Sequence, residues 1–89
     1  MFIQVKDSKY FVTSLYKEPK GFSADIEQQD GKHFVLNFSS ITEKFYKNGQ
    51  NAKLPKYLCR EVLDMAISKG IIFLNEVERE NVIYNIYDL

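Results

Sequence analysis

The sequence predicts an α+β fold. An antiparallel β-meander of about four strands occupies residues 1–39, and two or three helices within residues 40–89 pack on one face of it. Three observations predict this. Apolar and polar residues alternate through most of the first forty positions, the period-two signature of half-buried strands. Turn-forming clusters at Asp7-Ser8-Lys9, Glu18-Pro19-Lys20-Gly21 and Asp30-Gly31 cut that stretch at hairpin spacing. From Pro55 onward apolar residues recur every three or four positions, the period of a helix. A chain of 89 residues is too short for two independent cores, so residues 1–89 are expected to form a single domain.

Each strand follows from its own pattern. Phe2 to Lys6 sets Ile3 and Val5 on one face, with Gln4 and Lys6 on the other. Tyr10 to Tyr16 is rich in the aromatic and β-branched types that strands favour. Unbroken alternation there turns Phe11 and Leu15 inward and Tyr10, Val12, Ser14 and Tyr16 outward. Phe22, Ala24 and Ile26 face inward in the next segment, as do Phe34, Leu36 and Phe38 in the one after it. A two-residue Asp30-Gly31 loop would pair apolar with polar residues. A three-residue Gln29-Asp30-Gly31 loop instead pairs Ile26 with Phe34, Ala24 with Leu36 and Phe22 with Phe38, and places Gly31 in the left-handed position of the turn.

The second half reads as helical. Ser40-Ile41-Thr42-Glu43 has capping-box spacing, Ile41 and Phe45 fall four apart, and Gly49 can close a short helix through Asn48. Pro55 suits a first helical position, where the missing N–H would be unpaired anyway. From Lys56 to Lys69, Leu58, Cys59, Val62, Leu63, Met65, Ala66 and Ile67 form a broad apolar face, and Gly70 stops the helix. Ile71 to Leu74 is either a short buried strand or an apolar connector. Asn75 and Glu78 repeat the capping-box spacing, which favours a helix through Asp88 over a strand from Val82 to Tyr87.

Composition narrows the function classes. Twelve basic and twelve acidic residues give no net charge, which argues against a purely electrostatic nucleic-acid binder. The single cysteine permits neither an internal disulfide nor a Cys-rich zinc site. Ten lysines against two arginines, with many Phe, Tyr, Ile and Asn, is the bias of an AT-rich genome, as in low-GC bacteria and their phages. Met1 to Asp7 lacks a basic segment followed by an apolar run, so it does not read as a signal peptide. The longest apolar run, Ile71 to Leu74, is far short of the roughly 20 residues that span a bilayer. The expected location is the cytoplasm of a cell or an infected host, with no membrane partner.

No motif carries chemistry. His33, beside a hairpin loop and opposite Phe34 and Leu36, reads as a solvated residue rather than an acid–base group. Cys59, among Val62, Leu63 and Ala66, reads as a small core hydrophobe rather than a nucleophile. Asp25, Glu27 and Asp30 form the nearest carboxylate cluster and read as a solvated face rather than a metal site. The four glycines are isolated at turns and caps, so there is no phosphate loop. The expectation is a non-enzymatic protein with no cofactor and no metal.

Two surfaces remain as binding candidates. Phe2, Tyr10, Val12, Tyr16 and Val35 would give the solvent side of the sheet an aromatic patch, where a one-layer sheet is normally polar. This predicts a regulatory protein-interaction module that binds a protein partner or self-associates to a homo-oligomer; a phage-encoded inhibitor of a host or defence factor is one form of it. The alternative is RNA or DNA binding. Residues 1–58 hold nine lysines and six acids, and residues 59–89 hold three basic residues and six acids. Within the basic part, Lys44, Tyr46, Lys47, Lys53, Lys56 and Tyr57 interleave charge with rings that could stack on bases.

Overall fold

Five antiparallel strands lie side by side in chain order, and two helices follow them. In the computed structural model, which describes residues 1–88, the elements are β1 (Phe2–Val5), β2 (Ser8–Glu18), β3 (Gly21–Gln28), β4 (His33–Ser39), β5 (Lys44–Lys47), α1 (Lys56–Ser68) and α2 (Glu76–Tyr87). Every neighbouring pair of strands is antiparallel. The α+β meander with its helices on one face is therefore the observed fold, with one strand more than expected.

The apolar pattern fixes the β3–β4 register. Ile26 faces Phe34, Ala24 faces Leu36 and Phe22 faces Phe38, the pairing that a three-residue loop requires. The loop itself is closed by Gly31 N–H donating to Gln28 O at 2.9 Å, with Gly31 at φ 87°. The first turn comes earlier than Asp7-Ser8-Lys9. Val5 pairs with Ser8, leaving Lys6 and Asp7 as the loop.

Residues 40–49 do not form the expected helix. Ser39, one position before the expected cap, accepts the N–H groups of Ile41 and Thr42 on its Oγ at 3.2 and 3.3 Å, and Glu43 turns the chain at φ 59°. Lys44–Lys47 then pairs with the open edge of β4. The physical reason is the neighbour. So short a helix is marginal by itself, whereas the edge offers a ladder of hydrogen bonds and a slot for Phe45. That ring sits 5.1 Å from Phe38 and 6.0 Å from Phe22. Asn48 fastens the strand end, its backbone N–H donating to Val35 O at 2.8 Å and its Oδ1 accepting Val35 N–H at 2.9 Å.

The helices behave as their patterns require. In α1 the residues Leu58, Cys59, Val62, Leu63, Met65 and Ala66 are buried; Pro55 stands not at the first helical position, as expected, but one residue before it, as an extended N-cap. Residues 71–74 are a connector rather than a strand. Asn75 caps α2 with both arms of the capping box: Glu78 N–H donates to Asn75 Oδ1 at 2.8 Å, and Asn75 N–H donates to Glu78 Oε1 at 3.0 Å. Asp64 ties the helices together, accepting from Arg60 Nε at 3.3 Å and Arg79 Nη2 at 3.2 Å. One core results, between the helices and a sheet face that includes Ile3, Val12, Phe22, Ala24, Ile26, Phe34, Leu36 and Phe38.

Candidate functional site

The outer sheet face differs from the one expected because β2 carries a bulge. Val12 pairs with Ile26 and Ser14 with Asp25, so Thr13 is an extra residue in the ladder. Before the bulge Tyr10 and Val12 face the core; after it Leu15 does. Three assignments are corrected by this. Val12 is buried in the core, and Tyr10 packs its ring edge-on to Phe34 at 6.5 Å, so neither belongs to the outer patch. Phe11, expected inside, lies outside and is 38% exposed. The sequence holds no signal for this, since Phe11 and Leu15, four positions apart, satisfy unbroken alternation; only the pairing of Val12 with Ile26 and Ser14 with Asp25 reveals the extra residue.

Phe2, Phe11 and Tyr16 make up the exposed aromatic band that results. Phe2 lies opposite Phe11 with ring centroids 5.4 Å apart, and the Lys9 ammonium sits 5.7 Å from the Phe2 ring centre. Tyr16 follows beyond the bulge, its hydroxyl 3.4 Å from Asp25 Oδ1, and Ser14 Oγ donates to Asp25 Oδ2 at 3.0 Å. Partial desolvation, then the Asp25 carboxylate, raises the Tyr16 phenol above its ordinary pKa. Val35 pairs with Asp25 on the same face and is half-buried.

Beside the band the outer face is polar and internally bonded. Ser23, buried on this side, donates to Glu18 Oε1 at 3.1 Å and accepts Asn37 Nδ2 at 2.9 Å; Asn37 Oδ1 accepts Gly49 N–H at 2.7 Å. His33 Nε2 lies 3.4 Å from Glu27 Oε1 at the far end. Among the described residues no group of three or more His, Cys, Asp or Glu side chains is placed to hold a metal ion. Cys59 and His33 do not meet, since the thiol is in the core and the imidazole is exposed on the opposite side of the sheet.

Burial pushes the Cys59 thiol up from an ordinary 9.0 to about 12. The folded chain therefore keeps this proton through a range in which the unfolded chain releases it. Stability attributable to the thiol is complete below about pH 9 and falls as pH rises toward about 12. Comparing urea midpoints of wild type and Cys59→Ala across that window should show the steeper decline in wild type, with a cumulative difference of roughly 4 kcal/mol. Parallel slopes would refute the buried neutral thiol.

The six residues of the basic–aromatic segment do not form one surface, although Lys44 and Lys56 line the same cleft beside Phe45, Leu54 and Asn85. Tyr46 lies on the outer face, its hydroxyl 2.9 Å from Thr42 Oγ1, and Lys44 is exposed on the same strand. Lys47 holds its ammonium 4.9 Å from the Phe34 ring centre. Lys53 is exposed in the loop before α1, and Lys56 reaches Tyr87 O at 3.4 Å across the helix pair. Tyr57 has the Glu61 carboxylate as its hydrogen-bonding neighbour, which raises its phenol pKa and opposes phosphate. A separate apolar set that the sequence reading did not anticipate comprises Phe73, Val77 and Tyr84, all exposed; Val77 and Tyr84 stand two turns apart on α2.

No helix among the described residues is long and apolar enough to cross a membrane. Comparisons with protein-family models, curated proteins and solved structures gave no match to this chain.

Proposed function

We propose that this chain is a small non-enzymatic interaction module that binds a protein partner through the outer face of its sheet. The observation that supports this reading is the band of Phe2, Phe11 and Tyr16, three large rings held toward solvent on a face where a sheet usually carries polar residues. Val35 flanks the band, and Ser14, Asp25 and Gln4 surround it with hydrogen-bonding groups. An aromatic centre with a polar rim is the anatomy of a protein–protein interface. A regulatory role, such as inhibition of a host or defence factor by a phage-encoded protein, fits a chain of this size and composition. Lysines that do not form one surface, two of them held by Phe34 and Tyr87, favour this reading over nucleic-acid binding.

The test is affinity capture from lysate, with and without nuclease, comparing wild type with Phe11→Ser plus Tyr16→Ser. Both residues are exposed, so the variant should keep the circular dichroism spectrum of wild type. The expected result is one protein recovered stoichiometrically in both nuclease arms and lost with the double variant. Capture that the double variant retains, or that nuclease abolishes, would overturn the assignment.

A further inference from the structure

Asn48 is the only asparagine of the chain followed by glycine, and the pair forms the two-residue turn that ends β5. Lys47 and Gln50 close that turn: Lys47 N–H donates to Gln50 O at 2.9 Å, and Gln50 N–H donates to Lys47 O at 3.0 Å. Asn48 at φ 51° and Gly49 at φ 77° are the left-handed pair that such a turn requires. Both residues are also tied sideways to β4. Asn48 accepts Val35 N–H at 2.9 Å on its side-chain Oδ1, and its backbone N–H donates to Val35 O at 2.8 Å. Gly49 N–H donates to Asn37 Oδ1 at 2.7 Å.

An asparagine before glycine is open to intramolecular attack on its side-chain amide, because glycine has no Cβ to obstruct the approach. The Gly49 nitrogen, once deprotonated, adds to Asn48 Cγ. A Gly49 N–Cγ bond forms, the Cγ–Nδ2 bond breaks, and ammonia leaves with the proton that Gly49 gave up. Water then opens the five-membered imide at either carbonyl, giving aspartate or isoaspartate; nothing is oxidised or reduced. Both requirements of the first step oppose a bond to β4. Asn37 Oδ1 stabilises the protonated Gly49 nitrogen and so disfavours its ionisation. Val35 N–H holds the Asn48 side chain against β4, and Cγ reaches the Gly49 nitrogen only after that bond is given up.

We infer that Asn48 is a deamidation site which Asn37 and Val35 hold closed while β5 stays docked on β4, and that its conversion to isoaspartate releases β5. Isoaspartate routes the backbone through the former side chain and so lengthens the turn by a methylene. A two-residue connection then no longer fits between Lys47 and Gln50, and the acceptor for Val35 N–H is no longer a side chain free to reach it. β5 is four residues long and Asn48 fastens its end, so this strand loses most. Aspartate at the same position keeps both the turn and an oxygen for Val35 N–H. Only the isoaspartyl product therefore detaches the strand. The inference stands whether or not the aromatic band binds a protein.

Incubation of the whole chain at mildly alkaline pH, followed by peptide mapping with mass spectrometry, reads the exchange of NH2 for OH at position 48. Folded wild type should convert roughly tenfold or more slowly than the same chain unfolded in urea, since two hydrogen bonds must first be given up. Asn37→Ala should accelerate the folded chain roughly fivefold. Asn37→Asp, which keeps an oxygen for Gly49 N–H, should return the rate to that of wild type. Folded rates are taken far below each variant's own urea midpoint, so that global unfolding does not set them. In the purified isoaspartyl chain the amides of Lys44–Lys47 should exchange roughly tenfold faster than in wild type, with α1 unchanged. Equal rates in folded and unfolded wild type would overturn the inference, as would an Asn37→Ala rate no higher than wild type. An Asn37→Asp rate as high as that of Asn37→Ala would remove Asn37 Oδ1 as the guard. Wild-type exchange along Lys44–Lys47 in the isoaspartyl chain would refute the release of β5.

Discussion

Gly21→Ala should destabilise the fold by about 3 kcal/mol or more, the steepest cost expected at any turn of this protein. Gly21 sits at φ 149°, and a Cβ built there would lie 1.8 Å from the carbonyl oxygen of Phe38. The obstructing atom is backbone in the neighbouring strand, so no rotamer change relieves it. Phe38 cannot retreat easily either, since its ring stacks on Phe22 at 5.3 Å and leans on Phe45. Gly31→Ala is the control: φ there is 87°, but nothing lies within 4 Å of the added methyl. It should cost only about 1 kcal/mol, from backbone conformation alone. Urea denaturation of the two variants separates the effects. Equal losses would mean that the approach to Phe38 is not what demands glycine.

Phe22→Ala should cost about 3–5 kcal/mol. Its side chain is fully buried and touches two rings, Phe38 face-on and Phe45 edge-on, so the three join β3, β4 and β5. A domain of this size has a total stability of only about 4–13 kcal/mol, so the variant should be near or past its unfolding threshold at 37 °C. β5 should suffer first, because Phe45 then loses a partner on a four-residue strand. Hydrogen exchange should accordingly quicken at Lys44–Lys47 more than along α1. A variant with wild-type protection in β5 and a midpoint within about 1 kcal/mol of wild type would contradict the three-ring account.

Much of the architecture was legible because local and global preferences agree. The alternation of Phe22, Ala24 and Ile26 against Phe34, Leu36 and Phe38 admits one register that keeps the apolar residues together, and that register is the observed one. The spacing of Asn75 and Glu78 is both a chemical and a geometric instruction, and both arms of the box form. Cys59 stands among aliphatic residues in the sequence and among them in the core.

The candidate site was only half legible. Phe2, Tyr16 and Val35 lie on the outer face as alternation predicts, but Tyr10 and Val12 exchanged places with Phe11. Alternation carries no information about where a strand gains a residue. Thr13 tolerates either face, and only pairing with Ile26 and Asp25 decides that it is the one left over. The basic–aromatic segment is a similar case. Its residues are close in sequence, yet the turn at Glu43, the strand pairing of Lys44–Lys47 and the start of α1 point them to different sides.

The sequence by itself determined the class, the β3–β4 register, both long helices and the capped start of α2, since these depend on periodicity and contacts within a few residues. Tertiary structure alone decided that residues 44–47 are a strand and that Phe11 rather than Val12 meets solvent. Both outcomes depend on hydrogen bonds to another strand. A short segment whose own helix and strand preferences nearly cancel takes the conformation its neighbour can complete.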